Sequence, residues 1–142
     1  YEIAQCLVGS EMCIRDSVIG ADTIVTINGK ILGKPHSEEE AIEMLTTLSN
    51  TTHQVVTGVT FIYNDIIKTI HEITEVTFSK LSTEQIKTYI NEENVYDKAG
   101  AYAIQGTFCK YITKINGDYY NVMGLPIARV YKEIEGYKNE IQ

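Results

Sequence analysis

The run Val18-Ile19-Gly20-Ala21-Asp22-Thr23-Ile24-Val25-Thr26-Ile27, followed at once by Asn28-Gly29, constrains the fold more than any other stretch. β-Branched and apolar residues suit a pleated, half-buried surface. Asn-Gly tolerates the positive φ that both central positions of a two-residue hairpin turn require. A strand over 18–27, a tight turn and a short return from Lys30 to Gly33 are therefore expected. Pro35, which has no N–H to give a ladder, ends the return. Asp22 breaks the pattern, because a carboxylate in a strand fit for burial is costly unless a cation, a metal or hydrogen-bond donors sit beside it. Counting outward from the turn pairs Ile27 with Lys30 and puts Lys34 opposite Thr23, one position from Asp22. Opposed Cβ atoms lie about 5 Å apart, so Lys34 can reach Asp22. A buried ion pair or a hydrogen-bonded strand Asp would explain the same residues without chemistry.

The rest of the chain alternates strands and helices. Ser37-Glu38-Glu39-Glu40 opens a helix as a capping box, with Ala41, Ile42, Leu45 and Leu48 on one face. Its glutamates fall in the first turn, where they favour the positive dipole end. His53 to Tyr63 and Ile66 to Ser79 read as two strands around an Asn64-Asp65 turn. Ser82-Thr83-Glu84-Gln85 caps a second helix to about Glu92, with Ile86, Tyr89 and Ile90 inward. A loop from Asp97 to Gly106 leads to a predicted second hairpin, Lys110 to Ile115, Asn116-Gly117, then Asp118 to Val122. Pro126 at a first helical position opens a final helix to about Ile134. The order predicts a single α/β or α+β domain.

Composition narrows the function classes. The chain has 142 residues, 44% of them hydrophobic, and a net charge of -7. That suffices for a packed core and argues against duplex nucleic acid as a partner, since phosphate affinity rests on clustered cations. An anionic ligand would need a local group of cations or a divalent metal. No apolar run reaches the roughly 18 residues of a membrane helix, and no secretory signal is visible. Cys6, Cys13 and Cys109 form no CxxC pair, which suits a reducing cytoplasm. The first stretch, Tyr1 to Ser17, has neither strand nor helix period and no initiator Met. Its run Cys6 to Ser17 resembles a translated sequencing-adaptor read-through, so residues 1–17 are expected to be non-native and 18–142 to form the domain.

Among candidate sites, the loop Asp97-Lys98-Ala99-Gly100-Ala101-Tyr102-Ala103-Ile104-Gln105-Gly106 has small residues that let backbone approach a ligand, with Lys98 and Gln105 as donors. Neither a P-loop nor a dinucleotide fingerprint is present, because Gly33-Lys34 is followed by Pro35. His71-Glu72-Ile73-Thr74-Glu75 lacks the second His of a zinc protease. His36, His53, His71, Cys109 and Tyr119-Tyr120 read as surface or packing residues.

Together these runs resemble the Maf family of nucleoside triphosphate pyrophosphatases. The resemblance rests on Ala21-Asp22-Thr23, Gly33-Lys34-Pro35, Glu40-Ala41, Met44-Leu45, Thr57-Gly58-Val59, Asp97 to Tyr102, Ile104-Gln105-Gly106, Gly117 to Val122 and Gly124-Leu125-Pro126. It extends from Val18 to about Tyr137. It implies an α/β fold, a mixed twisted sheet flanked by helices, with a nucleotide in a cleft between two lobes. It further implies hydrolysis of a nucleoside triphosphate between the α- and β-phosphates, a divalent metal (Mg²⁺ or Mn²⁺), a homodimer and a cytoplasmic enzyme. By this resemblance Asp22 is the proton acceptor that activates water and a possible metal ligand, Lys34 neutralises phosphate charge, and Thr23 and Gln105 select the substrate. Lys98, from the bottom-up reading, joins them as a substrate-binding donor.

Gln105 also permits a direct chemical reading. Its amide oxygen can accept from N3–H of uracil or thymine while its N–H donates to O4. A Glu would only accept, which suits guanine, and a relative selective for 7-methyl-GTP carries Glu there. The expected substrates are therefore dTTP and UTP. The family's Ser/Arg-rich S-x-S-x-R-R loop, with the Glu and Lys beyond it, is not visible here, and Ala103 stands where Gly is usual. The expectation is a truncated product with weak or no activity, tested by its turnover beside a chain with the natural start. Competing readings are a septum-formation regulator acting through partners and a module that binds nucleotide without cleaving it.

Overall fold

The computed structural model describes residues 18–141. The expectation placed on residues 1–17 lies outside that range. The chain forms β1 (Val18–Ile27), β2 (Lys30–Leu32), α1 (Glu38–Leu48), β3 (Thr52–Tyr63), β4 (Ile66–Phe78), α2 (Thr83–Glu92), β5 (Ile112–Asn116), α3 (Tyr119–Met123) and α4 (Ile127–Ile141). Two short 3-10 turns, Ala99–Ala101 and Thr107–Tyr111, lie between α2 and β5. The strands make one five-stranded sheet in the order β2-β1-β3-β4-β5, and every described pairing is antiparallel. No described helix is long and apolar enough to cross a membrane.

The predicted first hairpin forms. Asn28 and Gly29 take φ of 49° and 77°, and Ile27 pairs with Lys30. Helix α1 is capped by Ser37 Oγ, which accepts from Glu40 N at 3.1 Å. Glu40 Oε2 instead accepts from His36 N at 3.2 Å, one residue before the expected reciprocal bond. In α2 the Ser82/Gln85 capping box closes on both sides. Both helices turn their apolar faces inward as the period requires, although Met44 rather than Ile42 is fully buried in α1.

The second predicted hairpin does not form. Residues 119–123 are helix, and β5 pairs with β4. Gly117 has φ 134°, and Asn116 does not take the positive φ that a two-residue turn demands. Asp118 then acts as an N-cap, its Oδ1 accepting from Tyr120 N at 2.8 Å. A Cβ on Gly117 would meet Thr74 Oγ1 at 2.8 Å, so the glycine lets the chain pass close over β4. The final helix begins at Ile127, with Pro126 O accepting its first bond, and runs past Ile134 to Ile141.

Packing divides the covered sheet face in two. The larger core joins Val25, Ile27, Val55, Val76 and Phe78 to α1, α2 and the segment around residues 101–108. The smaller joins Val59, Phe61 and Ile70 to Val130 of α4. Alternate residues of β3 run from one core to the other, and Thr57 lies midway, fully buried. The seam is therefore polar. Here Asn121 of α3 enters.

Within the larger core, His53 is 1% exposed. Its Nε2 is 2.8 Å from Tyr102 Oη, and its ring meets Phe78 and Tyr102 edge-on. Burial lowers its pKa from 6.5 to about 4 and pushes the Tyr102 phenol up. The unfolded ring takes a proton below about pH 6.5, whereas the folded ring stays neutral until about pH 4. This contribution to stability is whole above pH 6.5 and is lost as pH falls through that window, by about 3 kcal/mol in total. Thermal melts between pH 7 and 5 are expected to show a falling Tm, with a shallower slope in His53→Gln. Equal slopes would place the proton uptake elsewhere.

Candidate active site

The short β2 decides where a ligand can enter. Its ladder with β1 stops at Val25↔Leu32, so among the described residues the 18–24 stretch of β1 has no partner on that side. Gly33 leaves the sheet and its carbonyl accepts from Gly100 N at 3.0 Å. Gly100, at φ 72°, sits so close that a Cβ would lie 2.9 Å from Val25 Cγ2. This contact folds the 97–106 loop over β1. Buried Ala101, Tyr102 and Ile104 hold the loop down, while Gln105 stays exposed. The result is a cleft of about 340 Å³ lined by residues including Asp22, Thr23, Lys34, Lys98, Gln105 and Gly124.

All five residues singled out from sequence thus meet in one cleft. The reason given for Asp22 needs correction. It is exposed, not buried, because β2 ends before reaching it. Its Oδ1 accepts from Thr23 N at 3.0 Å, and the ion pairs among the described residues do not include Asp22 or Lys34. An exposed carboxylate is solvated by water, so the burial argument for a neighbouring cation fails although the location holds. Lys34 is itself exposed and lines the cleft.

Lys98 is more tightly engaged than a free donor. Its Nζ donates to Asn94 O at 2.6 Å and to Asp97 Oδ1 at 2.9 Å, which leaves one proton. That hydrogen bond, followed by the charges of Lys98 and Lys34, holds the Asp97 carboxyl below its usual range. Asp97 and Tyr102 of the candidate loop, and Gly124 of the quoted motifs, also line the cleft, with no individual role read for them from the sequence. The quoted motifs around them were the available signal.

A wider depression of about 480 Å³ lies between β2 and α1, lined by Glu39, Glu40 and Glu43 with Lys30. That acidity repels a polyphosphate. The smaller cleft presents two lysines and suits an anion better.

A family profile described as "Maf-like protein" matches residues 3–137. The chain belongs to the Maf family. It is 49% identical over 124 residues to a "dTTP/UTP pyrophosphatase" of Bacillus cereus strain ATCC 14579, across 87% of this chain and 65% of that protein. It is 51% identical over 122 residues to a protein of the same name from Clostridium perfringens strain SM101, across 84% of this chain and 64% of the relative. A third from Lachnoclostridium phytofermentans is 49% identical over 125 residues. The chain therefore spans just under two thirds of the length of these relatives. The α/β fold with a sheet flanked by helices that the resemblance implies is the one observed, with every described strand pairing antiparallel where a mixed sheet was expected.

The metal that the family implies has one suitable anchor here. Among the described residues no three His, Cys, Asp or Glu side chains converge as a metal cage. Mg²⁺, however, commonly binds through one or two carboxylates together with substrate phosphates and waters. Asp22, with Oδ2 lacking a hydrogen-bond or ion-pair partner among the described residues, fits that mode.

Proposed function

We propose that this Maf chain hydrolyses nucleoside triphosphates to the monophosphate and pyrophosphate, with dTTP and UTP as preferred substrates. The observation that carries the proposal is the shared cleft: the acid Asp22 and the base-reading amide Gln105 face one space with Lys34 and Lys98. Relatives named "dTTP/UTP pyrophosphatase" support the substrate class.

In this mechanism Lys34 and the remaining proton of Lys98 bind phosphate oxygens. Asp22 accepts a proton from water as the water oxygen attacks the α-phosphorus. The bond from phosphorus to the α,β-bridging oxygen breaks, and pyrophosphate departs. A divalent metal held by Asp22 would supply charge neutralisation at the phosphates. The same reading puts the protein in the cytoplasm with its nucleotide pool, as a homodimer without nucleic-acid or membrane partners.

The test is a panel of nucleoside triphosphates read by pyrophosphate release. UTP and dTTP should lead, with GTP and 7-methyl-GTP behind; faster turnover of 7-methyl-GTP than of UTP would refute the pairing at Gln105. Gln105→Glu removes the N–H that meets O4 and sets a carboxylate there. It should lower kcat/KM for UTP by about a hundredfold and improve guanine nucleotides relative to it. An unchanged UTP-to-GTP ratio would place base recognition elsewhere.

A further inference from the structure

We propose that His53 and Tyr102, a buried pair beneath the cleft, are positioning residues that hold the 97–106 loop in its ligand-binding shape before nucleotide arrives. The inference rests on the nucleotide reading of the cleft and adds residues that reading does not use.

The loop needs holding. Gly100 and Ala101 both have positive φ, 72° and 65°. Glycine takes that conformation freely, whereas alanine is strained in it. A strained residue persists only where its surroundings dictate it. Ala101 is fully buried, and the next residue, Tyr102, belongs both to the cleft wall and to the larger core. Lys98 precedes the strained pair and Gln105 follows it, so this turn sets where both stand.

Three hydrogen bonds fix the turn. Gly100 N donates to Gly33 O at 3.0 Å, and Ala103 N donates to Tyr89 Oη at 3.2 Å. The third joins Tyr102 Oη to His53 Nε2 at 2.8 Å. Gly33 follows the edge strand β2 and Tyr89 lies on α2, but His53 stands on β3, the middle strand of the sheet. Of the three, the His53 bond alone ties the loop to the centre of the fold. Phe78 and Phe108 pack on the Tyr102 ring with centroids at 4.7 and 5.4 Å.

The proton in that bond can be assigned. His53 Nδ1 is buried and has no partner among the described residues. If His53 donated, the Tyr102 proton and the Nδ1 lone pair would both go unmet. If Tyr102 donates, only the Nδ1 proton does, so the smaller deficit makes Tyr102 the donor and Nε2 the acceptor. An orphaned N–H in the core still works against folding, and a leucine at position 53 would avoid it. Packing therefore does not explain the imidazole; holding the Tyr102 hydroxyl does. A loop shaped in advance gains affinity because binding need not order it.

Hydrogen exchange and calorimetry on the 142-residue chain test the pair. Tyr102→Phe deletes one oxygen and keeps the ring against Phe78 and Phe108. The Gly100 and Ala103 amides should then exchange about tenfold faster, beyond any change in α1, which separates local opening from lost overall stability. The same variant should bind α,β-methylene-UTP, which cannot be cleaved between those phosphates, about tenfold more weakly. In turnover of UTP, KM should rise by a similar factor with kcat within about twofold, because Asp22 lies on β1 outside the loop. His53→Leu should match Tyr102→Phe, and the double variant should be no worse than either. His53→Gln sets an amide near the Nε2 position and should restore most of the affinity, which a purely packing role would not predict. If His53→Leu and Tyr102→Phe fail to fold, the native protein answers: Gly100 and Ala103 should be as protected without the analogue as with it.

Unchanged exchange or unchanged affinity in Tyr102→Phe, additive losses in the double variant, a His53→Gln protein no better than His53→Leu, or native protection that arises only with the analogue each overturns the positioning role. Exchange and analogue affinity that follow the pair, without pyrophosphate release from UTP, would instead sink the pyrophosphatase reading and leave the pair standing.

Discussion

Asp22→Asn is expected to lower pyrophosphate release from UTP by about a thousandfold while leaving the melting temperature within a degree or two. A positioned general base is worth roughly 10²–10⁴ in rate, and an amide in its place cannot take the water's proton. The fold should not respond, because Asp22 is exposed and, among the described residues, its carboxylate accepts one hydrogen bond, from the amide of the next residue. Surface substitutions of that kind stay within about 0.5 kcal/mol. Nucleotide binding should survive, since Lys34, Lys98 and Gln105 are untouched. A variant retaining more than a tenth of the activity would remove Asp22 from the chemistry. The same variant tests the alternative of a division regulator: a partner-binding role would keep its cellular effect, and an enzymatic role would lose it.

Asn121→Ala should be the most damaging single change to stability, costing about 4 kcal/mol and roughly 10 °C in Tm. The Asn121 amide nitrogen ties α3 to two strands at once, through Thr74 on β4, Glu72 O on β4 and Val55 O on β3. Its Oδ1 has no protein partner among the described residues, so the joint depends on the nitrogen. Truncation leaves buried acceptors short of a donor and opens a cavity between the two cores. Asn121→Asp keeps the outline but faces those acceptors with another acceptor, and at neutral pH it should be no better than Ala. For contrast, Tyr120→Ala removes a side chain that is 52% exposed and should cost well under 1 kcal/mol. A loss of less than 3 °C in Asn121→Ala would show that α3 is held by other contacts.

Local signals were legible wherever one segment supplied both the residues and their partners. Asn28-Gly29 specified its own turn, and Ser82 with Gln85 its own cap, because those geometries close within four residues. The inward faces of α1 and α2 followed from helical period. Misreadings arose where a local signal served a distant contact. Asn116-Gly117 has the dipeptide of a hairpin, yet the glycine's freedom is used to clear Thr74, 43 positions earlier in the numbering, and Asp118 then starts a helix. Reading Asp22 as buried assumed that a return strand would cover it, but the three residues of β2 stop short.

By itself, then, the order of residues determined that an acid, two lysines, a threonine and a glutamine stand in strands and loops able to carry them, among strands that alternate with capped helices; the five-stranded, wholly antiparallel pairing of the described strands came from the tertiary structure. Tertiary structure alone decided that these residues share a cleft. That required β1 to pair with β3, some thirty residues away, and Gly100 to pack on Val25 with its amide on Gly33. It also brought the Thr23 and Thr57 hydroxyls within 2.9 Å of each other across β1 and β3, with Thr57 donating to the carbonyl of Asn121 far along the chain. The physical reason is that strand propensity, turn chemistry and caps act between neighbours, whereas a cleft and a relay of hydroxyls exist only after distant segments have been packed against one another.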